Sequence, residues 1–209
     1  MMRARRQMTQ LELHKIVIDY HRAFPDWVVL EQTLLARECG PLMQGIGFQP
    51  LSTGSYRPIC SIYYLCVPNR DGGFGVQFLN HPVQDIDPRV HEAKKKQVIE
   101  AIHYEIVPSV DVPLDPEQVL AMHEAQEPIR SPDACYLAAL NAYLGHEEQG
   151  LHWCRRFPEL VDQHGLGWQD FDYNRLAFLD RLKKWINCGI AKEQLERVLQ
   201  EERRKWGLA

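Results

Sequence analysis

Two runs of β-branched and aromatic residues, at 59–67 and 74–80, flank a short segment of turn-forming residues. That segment, 68–73, reads Pro-Asn-Arg-Asp-Gly-Gly, and Gly and Asn readily adopt the backbone conformations of tight turns. Two such runs around a glycine-containing loop predict a β-hairpin. Because an isolated hairpin is only marginally stable in water, we expect further strands and a covering layer of helices. The stretch 98–107 is compatible with either a third strand or a helix.

The residues before the hairpin contain sequence patterns that predict helices. Thr9 and Glu12 form a capping-box pattern that predicts a first helix. Apolar residues recur at helical spacing over 27–38, and Gly40-Pro41 would end a second helix there. We expect residues 42–46 to add one further turn.

The residues after the hairpin predict a series of helices. Asp115-Pro116 and Ser131-Pro132 each place an N-cap residue before a proline, which is typical of a helix start. Gly145 is a typical helix end. Further helical stretches follow at 146–157, 158–165, 171–188 and 190–206.

These patterns together predict an α+β fold, with N-terminal helices packed on a small antiparallel sheet and an all-helical C-terminal part. We expect residues 1–128 to hold the helices and the sheet, and residues 129–209 to form a bundle-like region packed on them as one globule. A chain of 209 residues is long enough to bury such a core.

The charge distribution limits the class of partner. The net charge of −4 argues against a nucleic-acid surface, because nucleic-acid binding depends on neutralising phosphates with Lys and Arg. The segment 85–133 holds eleven acidic residues against five basic ones. Such a segment is either a solvated surface or a complement to a basic protein partner.

Targeting and redox signals indicate a cytoplasmic protein. The basic N-terminus has no apolar region behind it, so we expect no secretory signal. No apolar run approaches the roughly 18 residues of a membrane span, so we expect no membrane association. Six scattered cysteines predict reduced, mostly buried thiols.

The sequence contains no local motif for catalysis or metal binding. There is no Cys-x-x-Cys and no His-Glu-x-x-His, and the glycine cluster at 71–75 precedes a strand, whereas a phosphate loop precedes a helix. Two dispersed arrangements stay open: a thiol–imidazole pair from Cys60 or Cys66 with His81, and a metal site. The metal site would draw on these imidazoles and carboxylates: His81, His91, His103, Asp85, Asp87 and Glu92. We predict no cofactor and no enzyme activity.

Partner contact is the remaining candidate function. Trp168, with Asp170 and Asp172, belongs to a loop-like aromatic and acidic stretch of the kind that contact patches use. The predicted partner-binding residues are Asp85, Asp87, Glu92, Asp111, Asp115, Trp168, Asp170 and Asp172.

Part of the sequence resembles a known class of binding proteins, which makes the predicted kind of partner more specific. The stretch from Pro41-Leu42 through Gly47-Phe48 and Tyr56-Arg57, the strand 59–67, and 75–80 (Gly-Val-Gln-Phe-Leu-Asn) resembles small bacterial immunity proteins. The resemblance implies a helix leading into a twisted antiparallel sheet, and binding that neutralises a secreted toxin. Two alternatives are an enzyme with a site assembled from dispersed Cys, His and acidic residues, and a helical scaffold or adaptor using 131–206.

Overall fold

The computed structural model describes residues 7–68, 74–79, 85–163 and 168–208. Within them the helices are α1 (Gln10–His21), α2 (His91–Glu105), α3 (Pro116–Glu124), α4 (Ser131–Leu144), α5 (Glu147–Gln163), α6 (Asp170–Asn187) and α7 (Ala191–Trp206). A single 3-10 turn, Pro88–Val90, precedes α2. The strands are β1 (Val28–Leu30), β2 (Leu34–Cys39), β3 (Leu42–Pro50), β4 (Tyr56–Tyr64) and β5 (Phe74–Phe78). The α+β prediction, with a helical C-terminal part, is confirmed.

The five strands form one sheet in the order β1-β2-β3-β4-β5, so each strand lies beside its neighbour in sequence. The predicted hairpin is β4–β5, which pair antiparallel with Ile59 opposite Phe78 and Cys60 opposite Gln77. Its expected turn residues at 69–73 lie outside the described residues.

The predicted second helix at 27–38 is wrong, because this stretch forms β1 and β2. The two strands pair antiparallel, with Val29 opposite Leu35 and Leu30 opposite Leu34. Glu31 and Gln32 make the tight turn at φ 48° and 62°, a left-handed conformation that residues other than Gly seldom adopt. Apolar residues four apart suit a strand face as well as a helix face, and no Gly or Asn marks this turn.

The predicted extra turn at 42–46 is also wrong, because these residues belong to β3. Glycine is common in loops, but Gly45 lies within the strand because the Tyr63 ring packs closely against its backbone. A Cβ at this position would lie 2.7 Å from Cε2 of Tyr63. The ambiguous stretch 98–107 lies mostly in α2, where Val98, Ala101 and Ile102 are buried at helical spacing.

Backbone contacts divide the chain into two compact units. The first unit comprises Met1–Cys39, Met43–Tyr63 and Gly73–Pro113, and the second comprises Gly40–Leu42, Tyr64–Gly72 and Leu114–Ala209. We expected a division near Pro128, whereas here α3 groups with the later helices.

The core of the first unit lies among α1, α2 and the sheet. α1 contacts α2, β1 and β2. Its capping box is present as predicted, with Glu12 N donating to the Thr9 hydroxyl and the Glu12 carboxylate accepting from Thr9 N. Tyr20, Phe48 and Tyr56 are among the largest fully buried side chains, and Tyr20 stacks on Phe48 at 4.8 Å between ring centroids.

The second unit is built around α4, which contacts α3, α5, α6 and α7. Most of its residues are buried, as expected for a helix that is apolar on every face. Gly145 ends it at φ 90°, as predicted, and Pro132 lies in its first turn; however, its N-cap residue is Arg130, whereas the sequence predicted Ser131. The sequence predicted two separate helical stretches at 146–157 and 158–165, but α5 is continuous through Pro158 to Gln163.

Candidate functional site

Residues 106–112, here called the clasped segment, connect α2 to the second unit and are held in place by side chains of the sheet. Ile106 and Val110 belong to the core of the first unit. Gln77 of β5 binds the segment twice: its amide nitrogen donates to the Val107 carbonyl, and Val107 N donates to Gln77 Oε1 at 3.0 Å.

Two further strand residues hold the same segment. Gln44 of β3, which is 3% exposed, donates from Nε2 to the carbonyls of Pro108 at 3.4 Å and Ser109 at 3.3 Å. Arg37 of β2 donates to the Val112 carbonyl and to Gln44 Oε1, the latter at 2.7 Å. The loop backbone therefore receives its hydrogen bonds from three strands, which orders a segment that would otherwise depend on solvent.

The exposed surface of this segment and of the end of α2 before it is apolar and acidic. Tyr104 is 87% exposed, and Val107 and Val112 are each 58% exposed. Asp111, an exposed acid, hydrogen bonds to His103 and accepts from the Ser109 hydroxyl at 3.1 Å. An ordered surface that exposes an aromatic ring and aliphatic side chains is the type of surface that partners bind.

The predicted acidic residues of the first unit carry local cationic neighbours. Asp85 accepts from Arg57 Nε at 2.7 Å, and Asp87 caps the 3-10 turn and pairs with Arg89. Surface pairs of this kind contribute little to stability, so a partner's cations can replace them at small cost. Glu92 is exposed in the first turn of α2.

The other predicted residues lie in the second unit. Asp115 caps α3 by accepting from Glu117 N at 3.1 Å, and Trp168 Nε1 donates to Asp162 at 2.9 Å. Asp170 is exposed in the first turn of α6. Asp172 is 4% exposed and accepts from Gln169 N at 3.2 Å, so its carboxylate completes the start of the helix.

Sequence reasoning missed Arg37, Gln44 and Gln77. Each lies in a strand, and its partner is 30 to 75 residues away along the chain. One sequence feature could have indicated these contacts: Gln44 lies within an apolar run at 42–46. A glutamine in such a run is expected to be buried, and a buried amide needs a hydrogen-bond partner.

His91 lies in a buried hydrogen-bond network that joins α1, β4 and α2. Its Nε2 lies 3.0 Å from Asp19 Oδ2, and because a carboxylate only accepts, Nε2 is the donor. The other ring nitrogen, Nδ1, lies 2.8 Å from the Tyr56 hydroxyl, which in turn lies 2.9 Å from the Tyr20 hydroxyl. Burial raises the pKa of both tyrosines, so these hydroxyls stay protonated.

The same network contains a possible metal-ligand group. Ligand atoms of Asp19, His91 and Glu92 lie within 4.8 Å of one another. However, Lys95 Nζ is 2.7 Å from Asp19 Oδ2, and Arg22 is 3.0 Å from Asp19 Oδ1. These two cations occupy the carboxylate that a metal ion would need, so the group fits an ion-pair network better than a metal site. The predicted metal ligand His81 lies outside the described residues.

A second buried imidazole, His123, lies in the second unit. Its Nδ1 is 2.7 Å from the Tyr64 hydroxyl, and its Nε2 is 3.5 Å from Asp133 Oδ1. Burial lowers the pKa of His123, although Asp133 opposes the shift. The ring is inaccessible to solvent, so this network stabilises the core and offers no route for a substrate.

Four buried thiols, those of Cys60, Cys66, Cys135 and Cys154, are poor nucleophiles. Burial raises the pKa of Cys60, Cys66 and Cys154 to about 12 each, and that of Cys135 further still. Nucleophilic cysteines need a lowered pKa and some exposure. The predicted pairing of Cys60 or Cys66 with His81 involves a residue outside the described part of the chain.

No helix among the described residues is long and apolar enough to cross a membrane. A scan against protein-family models, a search of curated proteins and a search of solved structures each found no similar protein.

Proposed function

We propose that this protein acts by binding a protein partner through the clasped segment and the adjacent Tyr104. The observation that carries the proposal is the set of hydrogen bonds from Arg37, Gln44 and Gln77 to the backbone of residues 107–112. Three polar side chains of the sheet are committed to ordering one loop, and this loop exposes apolar side chains to solvent.

An ordered loop favours tight binding for an energetic reason. Association costs free energy when flexible segments become fixed, and a segment already held in place avoids that cost. Tyr104 adds a large, amphipathic ring with few rotatable bonds, the residue type that dominates binding energy at protein interfaces.

The partner we propose is basic. Asp111 and the acidic residues predicted from the sequence, Asp85, Asp87 and Glu92, lie in the same unit as the clasped segment. Complementary charge accelerates encounter and rejects partners of the wrong sign. The raised pKa values of the Cys60, Cys66, Cys135 and Cys154 thiols support binding without covalent chemistry. The cytoplasm is the compartment we propose, because scattered cysteines are typical of proteins in a reducing environment.

Toxin neutralisation is the narrower form of the proposal. Its support is the resemblance of residues 41–80 to immunity proteins, which implies a secreted bacterial toxin with a basic face as the partner. The adjacent gene product is therefore the first partner to test.

Calorimetric titration of the adjacent gene product into the full chain tests both levels of the proposal. We expect one-to-one binding, and in Tyr104→Ala and Val112→Ser we expect affinity to fall about tenfold or more, as for central interface residues. Val28→Ser, which alters an exposed valine of β1, is the matched control and should bind like the parent. Equal affinity of all variants would place the interface elsewhere.

A growth assay distinguishes the narrow proposal from the broad one. Co-expression of the chain should restore growth to cells that express the neighbouring gene product, and Tyr104→Ala should restore it less. Binding without any protection would exclude toxin neutralisation while leaving protein recognition intact.

A further inference from the structure

The second unit contains a cavity of about 460 Å³ along one face of α6. α6 contributes Phe171, Asn174, Arg175, Phe178 and Arg181 to its lining, and Val67 contributes an aliphatic side chain. The volume lies within the range of small-molecule sites, and apolar walls with a few polar groups are typical of such sites. Its lining residues belong to the second unit, whereas the clasped segment belongs to the first.

Arg175 is the unusual residue in this cavity. Its side chain is only 8% exposed, and its Nε has no hydrogen-bond partner among the described residues. The nearest carboxylate oxygen, Asp172 Oδ1, is 3.9 Å from Nη1, which exceeds hydrogen-bond distance. A buried guanidinium N–H without an acceptor is costly, because its lost contact with water is not replaced.

The surroundings of Arg175 orient its guanidinium group. Its Cζ lies 5.1 Å from the centre of the Phe171 ring, within the range of a cation–π contact. Burial raises the pKa of Tyr136, and Arg175 opposes that rise through its charge and a side-chain hydrogen bond to this tyrosine. The ring contact lies on the face of the guanidinium, so the edge N–H groups that Tyr136 does not use can bind a planar anion.

The charge and polarity of the cavity indicate the ligand class. Arg175 and Arg181 supply two positive charges, and Asp172 is the one carboxylate that approaches Arg175 among the described residues. Cys135 also lines the cavity, and burial raises its pKa so that it remains a neutral thiol. Phe178 and Val67 offer apolar surface beside the cations.

We propose that this cavity binds a small organic carboxylate, with the carboxylate held by Arg175 and Arg181 and its apolar body packed against Phe178 and Val67. Asn174 also lines the cavity and carries an amide that can donate a hydrogen bond. The ligand would supply the acceptor that Arg175 Nε lacks.

Titration of the full-length protein with octanoate and with benzoate, followed by amide chemical shifts, tests this proposal. We expect saturable shifts in α6 for at least one carboxylate, and no saturation with octanol or benzyl alcohol. Inorganic phosphate is a separate arm, because a tight phosphate response without a carboxylate response would contradict the ligand class. No saturable response to either carboxylate would overturn the site.

Variants connect the response to the named residues. Arg175→Lys keeps the charge beside Asp172 but loses the two-point geometry, so we expect about tenfold weaker binding. Arg181→Gln removes an exposed charge without disturbing the core and should weaken binding by a factor of about three to ten. The matched control is Arg156→Gln on α5, which lowers the net charge equally and should bind like the parent. Affinities of Arg175→Lys and Arg181→Gln equal to that of the control would refute the assignment.

Discussion

The two units each contain a Tyr–His–Asp network, and the two networks differ in their access to solvent. In the first unit His91 links Tyr56 to Asp19, whose carboxylate is partly exposed and is shared with Lys95 and Arg22. In the second unit His123 links Tyr64 to Asp133, and all three side chains are buried.

This difference shows that two similar hydrogen-bond networks can contribute differently to the free energy of unfolding. Around Asp19 water and two cations can compensate for a lost contact. Asp133 instead depends on His123 and on Arg130 at the start of α4, which donates from its backbone N at 2.8 Å and whose side-chain Nε lies 3.4 Å away. A buried charge that loses its partner is strongly destabilising, whereas a partly exposed one is not.

The largest effect should come from the imidazoles. We expect His123→Leu to lower the free energy of unfolding by about 3–5 kcal/mol, because Asp133 stays buried without the imidazole. His91→Leu should cost about 1–3 kcal/mol, since Lys95 still neutralises Asp19. Urea denaturation of the two variants measures the difference, and equal losses would break the comparison.

Substitution of the aspartates should likewise destabilise the protein more in the second unit than in the first. Asp133→Asn weakens both the contact with His123 and the cap of α4, so we expect a loss of about 2–4 kcal/mol. Asp19→Asn should cost about 1 kcal/mol, as for a partly exposed ion pair. A greater loss from Asp19→Asn, again by urea denaturation, would show that solvent does not compensate in the first unit.

Removing single tyrosine hydroxyls should have smaller effects. Tyr64→Phe and Tyr20→Phe each remove one buried hydrogen bond while keeping the ring, so we expect losses of about 0.5–1.5 kcal/mol. Tyr104→Phe is the control for a tyrosine in an exposed position and should leave the thermal midpoint unchanged.

The pH dependence of stability should reveal the burial of His123 in the second unit. Burial lowers the pKa of His123 below the ordinary 6.5, so the unfolded chain binds this proton first as the pH falls. Stability should therefore fall as the pH drops from 6.5 toward the lower pKa of the folded state. His123→Gln should show a shallower decline in urea midpoints between pH 7 and 5, about the range in which histidine titrates. Parallel profiles for variant and parent would contradict the burial argument.

A second decline is expected at lower pH. Burial alone would raise the pKa of Asp19 and of Asp133, but their hydrogen bonds, chiefly from Lys95 and His123 respectively, hold both below the ordinary 3.8. Because these folded-state values are depressed, the stability they contribute is lost as the pH falls below 3.8.

The sequence predicted those elements whose ends carry local signals. Thr9 with Glu12, Pro116, Pro132 and Gly145 each mark a helix end through a short-range effect, and the structure places helix ends there. The turn at Glu31 and Gln32 has no such signal, because its left-handed residues are stabilised by the pairing of β1 with β2. Periodicity therefore indicated a helix where tertiary pairing favours strands.

The candidate site was harder to predict than the fold. Acidic residues such as Asp85 and Asp111 could be recognised by composition alone. The hydrogen bonds that hold the clasped segment could not be predicted, because Arg37 and Val112 are 75 positions apart and meet only in the folded chain. The cavity at Arg175 was missed for a related reason, since a single arginine in a helix gives no sign that it is buried.

The central claim is that a partner contacts the first unit at the clasped segment, and position-specific photo-crosslinking in native cells tests it most directly. A photoreactive residue at position 104 should yield one adduct with one basic protein, and Arg37→Leu should reduce its yield. The same residue at exposed Tyr173 in the second unit should yield none. An adduct at position 173 with no adduct at position 104 would contradict the account.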